Sequence, residues 1–287
     1  RSLGIPEGYI NHTISRKSPD GAWQQVERGE IPLDDAFFAA FQRELTDPDA
    51  WRAYYLRSKS RKTVQAQDLG SAGSSGWAEL EARAANAMPD PPKIDAKKMF
   101  WTMMRVSREP DPWMYPALKK LREDGRYVLA ALSNTVIFPE GARDEEGKVF
   151  ESGLRFPDPE AGETKGVEGG TGAEIVAQME RGGDAGHAQI RELFDVFVSS
   201  AHVGLRKPDP RMYELAMGRI REVALRKRAG DVRPENVVFL DDIGENLKGG
   251  RKIGFRTVKV NLGRTIEAVR ELEDITGLKL VDDKAKL

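Results

Sequence analysis

The sequence predicts an α/β protein built on a parallel sheet, and three observations predict it. Short apolar runs rich in β-branched and aromatic residues recur at 126–132, 196–200, 237–240 and 257–260, which is the pattern of buried strands. Stretches with helical spacing separate them. Polar residues follow three of the runs directly or within a short loop, and in open parallel sheets ligands bind at the carboxyl ends of strands.

The clearest unit is 236–255, NVVFLDDIGENLKGGRKIGF. Residues 237–240 read as a strand ending in Asp241-Asp242. Two adjacent carboxylates at the end of a buried strand repel each other and lose solvation, so they call for a cation, and all-oxygen ligation favours Mg²⁺. Ile243-Gly244 makes a turn, a helix starts at Glu245, and Gly254-Phe255 leads into the next strand.

Composition narrows the classes. Hydrophobic residues make up 39% and charged residues 32% of the 287, which fits a globular protein with some loose segments. The net charge of -1 gives no field that would draw the chain to nucleic acid or an anionic membrane. With no cysteine, disulfides, thiolate metal sites and cysteine nucleophiles are excluded. No run approaches the ~18 apolar residues of a membrane span, and the start lacks a signal-peptide apolar core. A cytoplasmic location is the expectation.

In chain order, residues 1–57 read as mainly helical. Pro32, Asp34 and Asp35 open a helix whose Phe37, Phe38, Phe41 and Leu45 share one face. Residues 58–76 end in Gly and Ser and read as a flexible loop. Short helices are expected over 77–88 and 94–106, and another over 115–123, closed by Asp124-Gly125. The strand at 126–132 then ends in Ser133-Asn134-Thr135, a hydroxyl and an amide that can bind an anion. Residues 139–188, rich in Gly, Glu and Asp without periodicity, read as a partly disordered insertion. Its GGTG follows no strand and precedes no Lys-Ser/Thr, so it is no phosphate loop. After the strand at 196–200, Lys207 stands before Pro208-Asp209-Pro210, where proline opens a helix. His202 reads as a hydrogen-bonded loop or core residue. A thin surface reading of Lys207, as one of a basic pair before a turn, stays open beside the functional one.

Together these residues suit phosphoryl transfer. A lysine, a hydroxyl–amide pair and two metal-binding carboxylates neutralise a phosphate with cation, ammonium and neutral donors. A receiver domain would place its acidic pair first and its lysine last, the reverse of the order here. A dinucleotide-binding enzyme would carry a glycine fingerprint after the first strand.

LSNT, SSAHVGLRKPDPRMYELA and VVFLDDIGENLKGGRKIGFRTV resemble motifs II, III and IV of the haloacid dehalogenase (HAD) superfamily. The branch is similar to the N-terminal phosphatase domain of soluble epoxide hydrolase and to phosphotransferase-linked acyl-CoA dehydrogenases. The resemblance implies a Rossmann-like parallel sheet as core with a mostly helical cap. It implies a Mg²⁺-dependent phosphohydrolase working through an aspartyl-phosphate on a small phosphorylated substrate. It implies Ser133 and Asn134 at the phosphate, Lys207 at nucleophile and phosphate as the catalytic lysine, and Asp241 and Asp242 at the metal. The implied division is 1–9 as a remnant of the first core helix, 10–105 as cap and 106–287 as core. Lys207→Ala is expected to remove turnover with little loss of fold.

One departure stands against these matches. The superfamily's first motif, a strand ending Asp-x-Asp-Gly with the nucleophile, is absent. Asp20-Gly21 follows no apolar run, and Asp124-Gly125 precedes a strand. The chain is therefore expected to start just after that strand, with about 20 residues absent. The alternative is a catalytically inactive binding or scaffold protein of the same fold.

Overall fold

A computed structural model describes residues 4–66, 88–107, 110–143, 147, 149–150, 190–228 and 230–281. The chain forms two compact units. One comprises Arg1–Gln25 and Asp34–Met103, the other Val26–Leu33 and Met104–Leu287.

The first unit is helical: α1 (Tyr9–Arg16), α3 (Asp35–Leu45), α4 (Pro48–Ala66) and most of α5 (Ala96–Val106), with α2 (Ala22–Glu27) running out of it. The expected helix start is present, and Asp34 caps it, its side chain accepting from the Phe37 N–H. Phe37, Phe38, Phe41 and Leu45 are all buried, and the rings of Phe37 and Phe38 meet Phe100 of α5 edge-on. Tyr9 is buried against Trp51 and donates its hydroxyl to the Leu45 carbonyl.

Two boundaries differ from the sequence reading. Residues 4–8 turn into α1 within the helical unit, where burial of Tyr9 draws them, and no described residue there is part of a core helix. The helix α4 runs on through 58–66, residues expected to open a loop, because no Gly or Pro interrupts it before Gly70. The rest of that loop, the expected helix up to 87 and the insertion from 151 to 188 lie outside the described residues.

The second unit alternates strand and helix. Its elements are α6 (Met114–Asp124), β1 (Ala130–Ser133), β2 (Val196–Ser199), α7 (Ser200–Val203), α8 (Pro210–Arg226), β3 (Val238–Asp241), α9 (Gly244–Ile253), β4 (Arg256–Lys259) and α10 (Thr265–Thr276). Helix α6 stops at Gly125, whose φ of 75° is a left-handed closure that glycine adopts without strain. Helix α8 starts at Asp209, whose side chain accepts from Arg211 N–H, with Pro210 in the first turn.

Both strand pairings are parallel. β1 pairs with β2, Ser133 opposite Ser199, and β3 pairs with β4, Asp241 opposite Lys259. The expected parallel α/β core is present, but among the described residues its four strands form two separate pairs. The pairs lie in one layer. On one face Leu132 of β1 and Phe239 of β3 both pack around Tyr213 and Met217 of α8. On the other, Leu129 beside β1 and Val238 and Leu240 of β3 pack with Ala117 and Leu121 of α6 and with Val269 and Leu272 of α10. β1 and β3 are thus the inner strands, yet β1 and residues 238–240 of β3 are only half-buried. Among the described residues no strand pairs with the second edge of β1 or of β3.

The outer end of β1 is tied by Asp195. Its carboxylate accepts from Lys227 Nζ at 2.7 Å and from Leu129 N at 3.0 Å, and is paired with Arg122. Burial alone would raise this carboxyl, but Lys227, the Leu129 N–H and Arg122 together hold it below its ordinary 3.8. A carboxylate with a depressed folded value contributes stability above the unfolded value and loses it as pH falls through the folded one. Asp195→Asn is expected to cost about 2 kcal/mol at pH 7 in urea unfolding, with the difference from wild type shrinking below pH ~4. An equal difference at pH 7 and pH 3 would refute the charge-based account.

Candidate functional site

The carboxyl ends of the inner strands hold the polar groups. Asp241 ends β3 and is 7% exposed; Lys207 lies in the loop between α7 and α8 and is 8% exposed. Lys207 Nζ donates to Asp241 Oδ2 at 2.6 Å and lies 5.4 Å from the centre of the Phe239 ring. A lysine so deep is not a solvated surface charge, and its surface reading is set aside. Asp241 Oδ1 accepts from Ile243 N at 2.8 Å and from Asn246 Nδ2 at 3.0 Å. The turn after β3 therefore orients the carboxylate before any ligand does. Burial, and then the Asp241 charge, raises the nearby Tyr213 hydroxyl, which donates to the Asn246 carbonyl at 2.8 Å. Gly249 of α9 lies where any Cβ would press on the Tyr213 ring, so α8 and α9 approach closely at this point.

Asn134 holds the lysine loop. Its Nδ2 donates to the Lys207 carbonyl at 3.2 Å, and its Oδ1 accepts from Lys207 N at 2.8 Å. The amide expected to face a phosphate thus grips the Lys207 backbone. Ser133 ends β1, half-buried, and its hydroxyl has no hydrogen-bond partner among the described residues. Because Lys207 reaches both Asn134 beyond β1 and Asp241 at the end of β3, the two pairs point the same way. Ser133 and Asp241 stand at the carboxyl ends of these strands.

Thr135 fastens the same loop to α7. Thr135 N donates to Ser200 Oγ at 2.8 Å, and Ser200 Oγ donates to Thr135 O at 3.2 Å. Thr135 and Ser199 share a short hydroxyl contact, and Ser199 Oγ is 2.8 Å from His202 Nδ1. His202 is lowered from its ordinary 6.5 by the protein atoms crowded around its ring, which thin its solvation although the residue keeps an exposed side, and then by Arg191 and Arg219. It is hydrogen-bonded as expected, within a hydroxyl network, but it lies in the short helix α7 and is neither a loop nor a core residue.

Asp242 is exposed beside Asp241. No cluster of three or more metal-binding side chains occurs among the described residues. Asp241 and Asp242 still suit a hard cation by chemistry, since Mg²⁺ commonly takes one or two carboxylates and completes its shell with water and phosphate oxygens. Asp241 can share its remaining lone pairs, and Asp242 is open to solvent.

Sequence reasoning brought Ser133, Asn134, Lys207 and Asp241 to one place. It missed Asn246, whose signal was an amide one turn into the helix after the acidic pair. It also missed Glu27, which is remote in sequence and pairs with Arg206 beside the lysine. No helix among the described residues is long and apolar enough to cross a membrane.

Fold and site define a parallel α/β protein with a buried lysine–aspartate pair at the carboxyl edge of its sheet. No family model matches the chain. It is 37% identical over 97 residues to bifunctional epoxide hydrolase 2 of Sus scrofa, covering 34% of this chain and 15% of that protein. It is 39% identical over 90 residues to acyl-CoA dehydrogenase family member 10 of Mus musculus, covering 31% of this chain and 7% of that protein. It is 32% identical over 72 residues to (S)-2-haloacid dehalogenase 1 of Pseudomonas sp. (strain CBS-3), covering 25% of this chain and 27% of that protein. The resemblance to the haloacid dehalogenase superfamily therefore extends beyond the motifs to identifiable relatives. The chain spans only a small part of each relative's length. A solved structure of a dehalogenase aligns over 94% of this chain at 16% identity with a TM-score of 0.33, which adds no weight.

Proposed function

We propose that this chain forms the lysine, phosphate and metal side of a Mg²⁺-dependent phosphohydrolase acting on a small phosphorylated substrate. The observation that carries the reading is Lys207. It is buried at the strand ends and oriented by Asn134, the neighbour of Ser133, and by Asp241. An ammonium fixed before the substrate arrives can bind phosphoryl oxygens without reorganising, which is how charge developing in a transition state is best met, and the Ser133 hydroxyl would add a neutral donor. Lys207 would also hold an attacking carboxylate in its charged form. Asp241 and Asp242 would hold the Mg²⁺, which would neutralise the charge of the phosphate oxygens.

The attacking carboxylate would come from an aspartate on a further strand lying between β1 and β3 and ending near Ser133 and Lys207. No such strand occurs among the described residues. Attack would form a bond from the aspartate oxygen to phosphorus and release the alcohol, and water would then hydrolyse the aspartyl-phosphate.

The test uses the natural full-length protein. Hydrolysis of p-nitrophenyl phosphate that is abolished by EDTA and restored by Mg²⁺ is the expected result. Chloride release from a 2-haloacid unaffected by EDTA would instead favour a dehalogenase, the activity in one relative's name. Neither turnover would leave the fold serving as a binding protein.

A further inference from the structure

The loop that carries Lys207 has a second anchor, from a part of the chain 179 positions away. Val26–Leu33 interrupts the helical unit in sequence but packs with the sheet unit. Glu27 Oε2 accepts from Arg206 Nε at 2.8 Å and from Arg206 Nη2 at 2.7 Å. Two donors from one planar guanidinium fix direction as well as distance. The pair is sheltered, with side-chain exposures of 9% for Glu27 and 18% for Arg206. Two residues on, Gly29 has a φ of +66° and sits so close to the Ala201 carbonyl of α7 that no Cβ could be placed there. Val26 and Leu33 are buried at the two ends of the segment.

We infer that Val26–Leu33 is a strap that sets the register of the lysine loop, with Glu27 as a positioning residue for Lys207. Arg206 and Lys207 are adjacent cations, and two buried carboxylates, Glu27 and Asp241, compete for them. Shifting the loop by one residue would carry Arg206 into the place of Lys207 at the strand ends and leave Glu27 facing Leu205. Glu27 prevents this because its paired contacts suit a guanidinium fork, which leucine lacks. Gly29 acts with it by letting the strap backbone lie directly on α7, at the start of the loop. A sheltered ion pair is a poor source of net stability, and in some proteins such pairs fix a register instead. The contribution of Glu27 to function rests on the reading of Lys207 given above; its contribution to loop register does not.

The experiment compares wild type, Glu27→Gln, Arg206→Lys and the swapped pair Glu27→Arg with Arg206→Glu, with Asp195→Asn as a control for general loss of stability. The first readout is hydrogen exchange at the Lys207 amide, which is donated to Asn134 Oδ1. Glu27→Gln should speed it about tenfold or more relative to amides of β2, since local opening is governed by nearby contacts. Arg206→Lys should do so partly, and the swapped pair should recover most of the protection. The second readout is the affinity for inorganic phosphate, expected to fall severalfold in Glu27→Gln.

Unchanged Lys207 exchange in Glu27→Gln, or equal acceleration in Asp195→Asn, overturns the strap. If Glu27→Gln does not fold, Arg206→Lys decides by the same measure. A wild-type chain that binds no phosphate counts against the proposed function, while the exchange comparison still decides the strap.

Discussion

Lys207→Met is expected to lower the free energy of unfolding by about 3 kcal/mol. Methionine keeps most of the buried aliphatic stem but leaves Asp241, with a side-chain exposure of 5%, without its counter-ion. Removing one partner of a buried pair leaves an uncompensated charge, which costs far more than the pair gains. Asp241 keeps its bonds from Ile243 N and Asn246, so the site should loosen without the sheet unit unfolding. Replacing both partners, Lys207→Met with Asp241→Asn, should recover most of the loss. Urea unfolding of the four proteins measures this as a double-mutant cycle. A loss under about 1 kcal/mol in Lys207→Met would put the pair in the class of exposed salt bridges. This expectation differs from that of the sequence, by which Lys207 could be removed with little effect on the fold. Burial of the pair is the reason.

The facing edges of β1 and β3 give the second large effect. Amides of these strands that point away from β2 and β4 are expected to exchange about 100-fold faster than those inside the two ladders. Both inner strands are apolar, covered by helices on both faces and half-buried, the combination that leaves a strand edge open to pairing. Residue-resolved exchange measures this directly. Slow exchange on both edges in the 287-residue chain would mean that another part of it already pairs there.

Much of the secondary structure could be read from local pattern because local chemistry determines it. Asp34 and Pro210 mark helix starts through caps and a preset backbone angle, and Gly125 marks a helix end through its left-handed conformation. The reach of α4 through 58–66 was not legible, because a polar run without Gly or Pro suits a helix as well as a loop. The candidate site was half legible. Spacing and strand ends pointed to Ser133, Lys207 and Asp241, but an amide at a strand end looks the same whether it faces a ligand or, as Asn134 does, a backbone.

By itself the sequence determined which residues could carry the chemistry, since a lysine, two carboxylates and a hydroxyl keep their character wherever they lie. It also determined the parallel strand–helix alternation, since apolar period and caps are properties of short segments. Only the tertiary structure decided which cation meets which carboxylate. Lys207 takes Asp241 at 2.6 Å, and Arg206 takes Glu27 from a segment 179 positions away. Those choices depend on burial and long-range packing, and adjacent residues in a sequence carry no record of either.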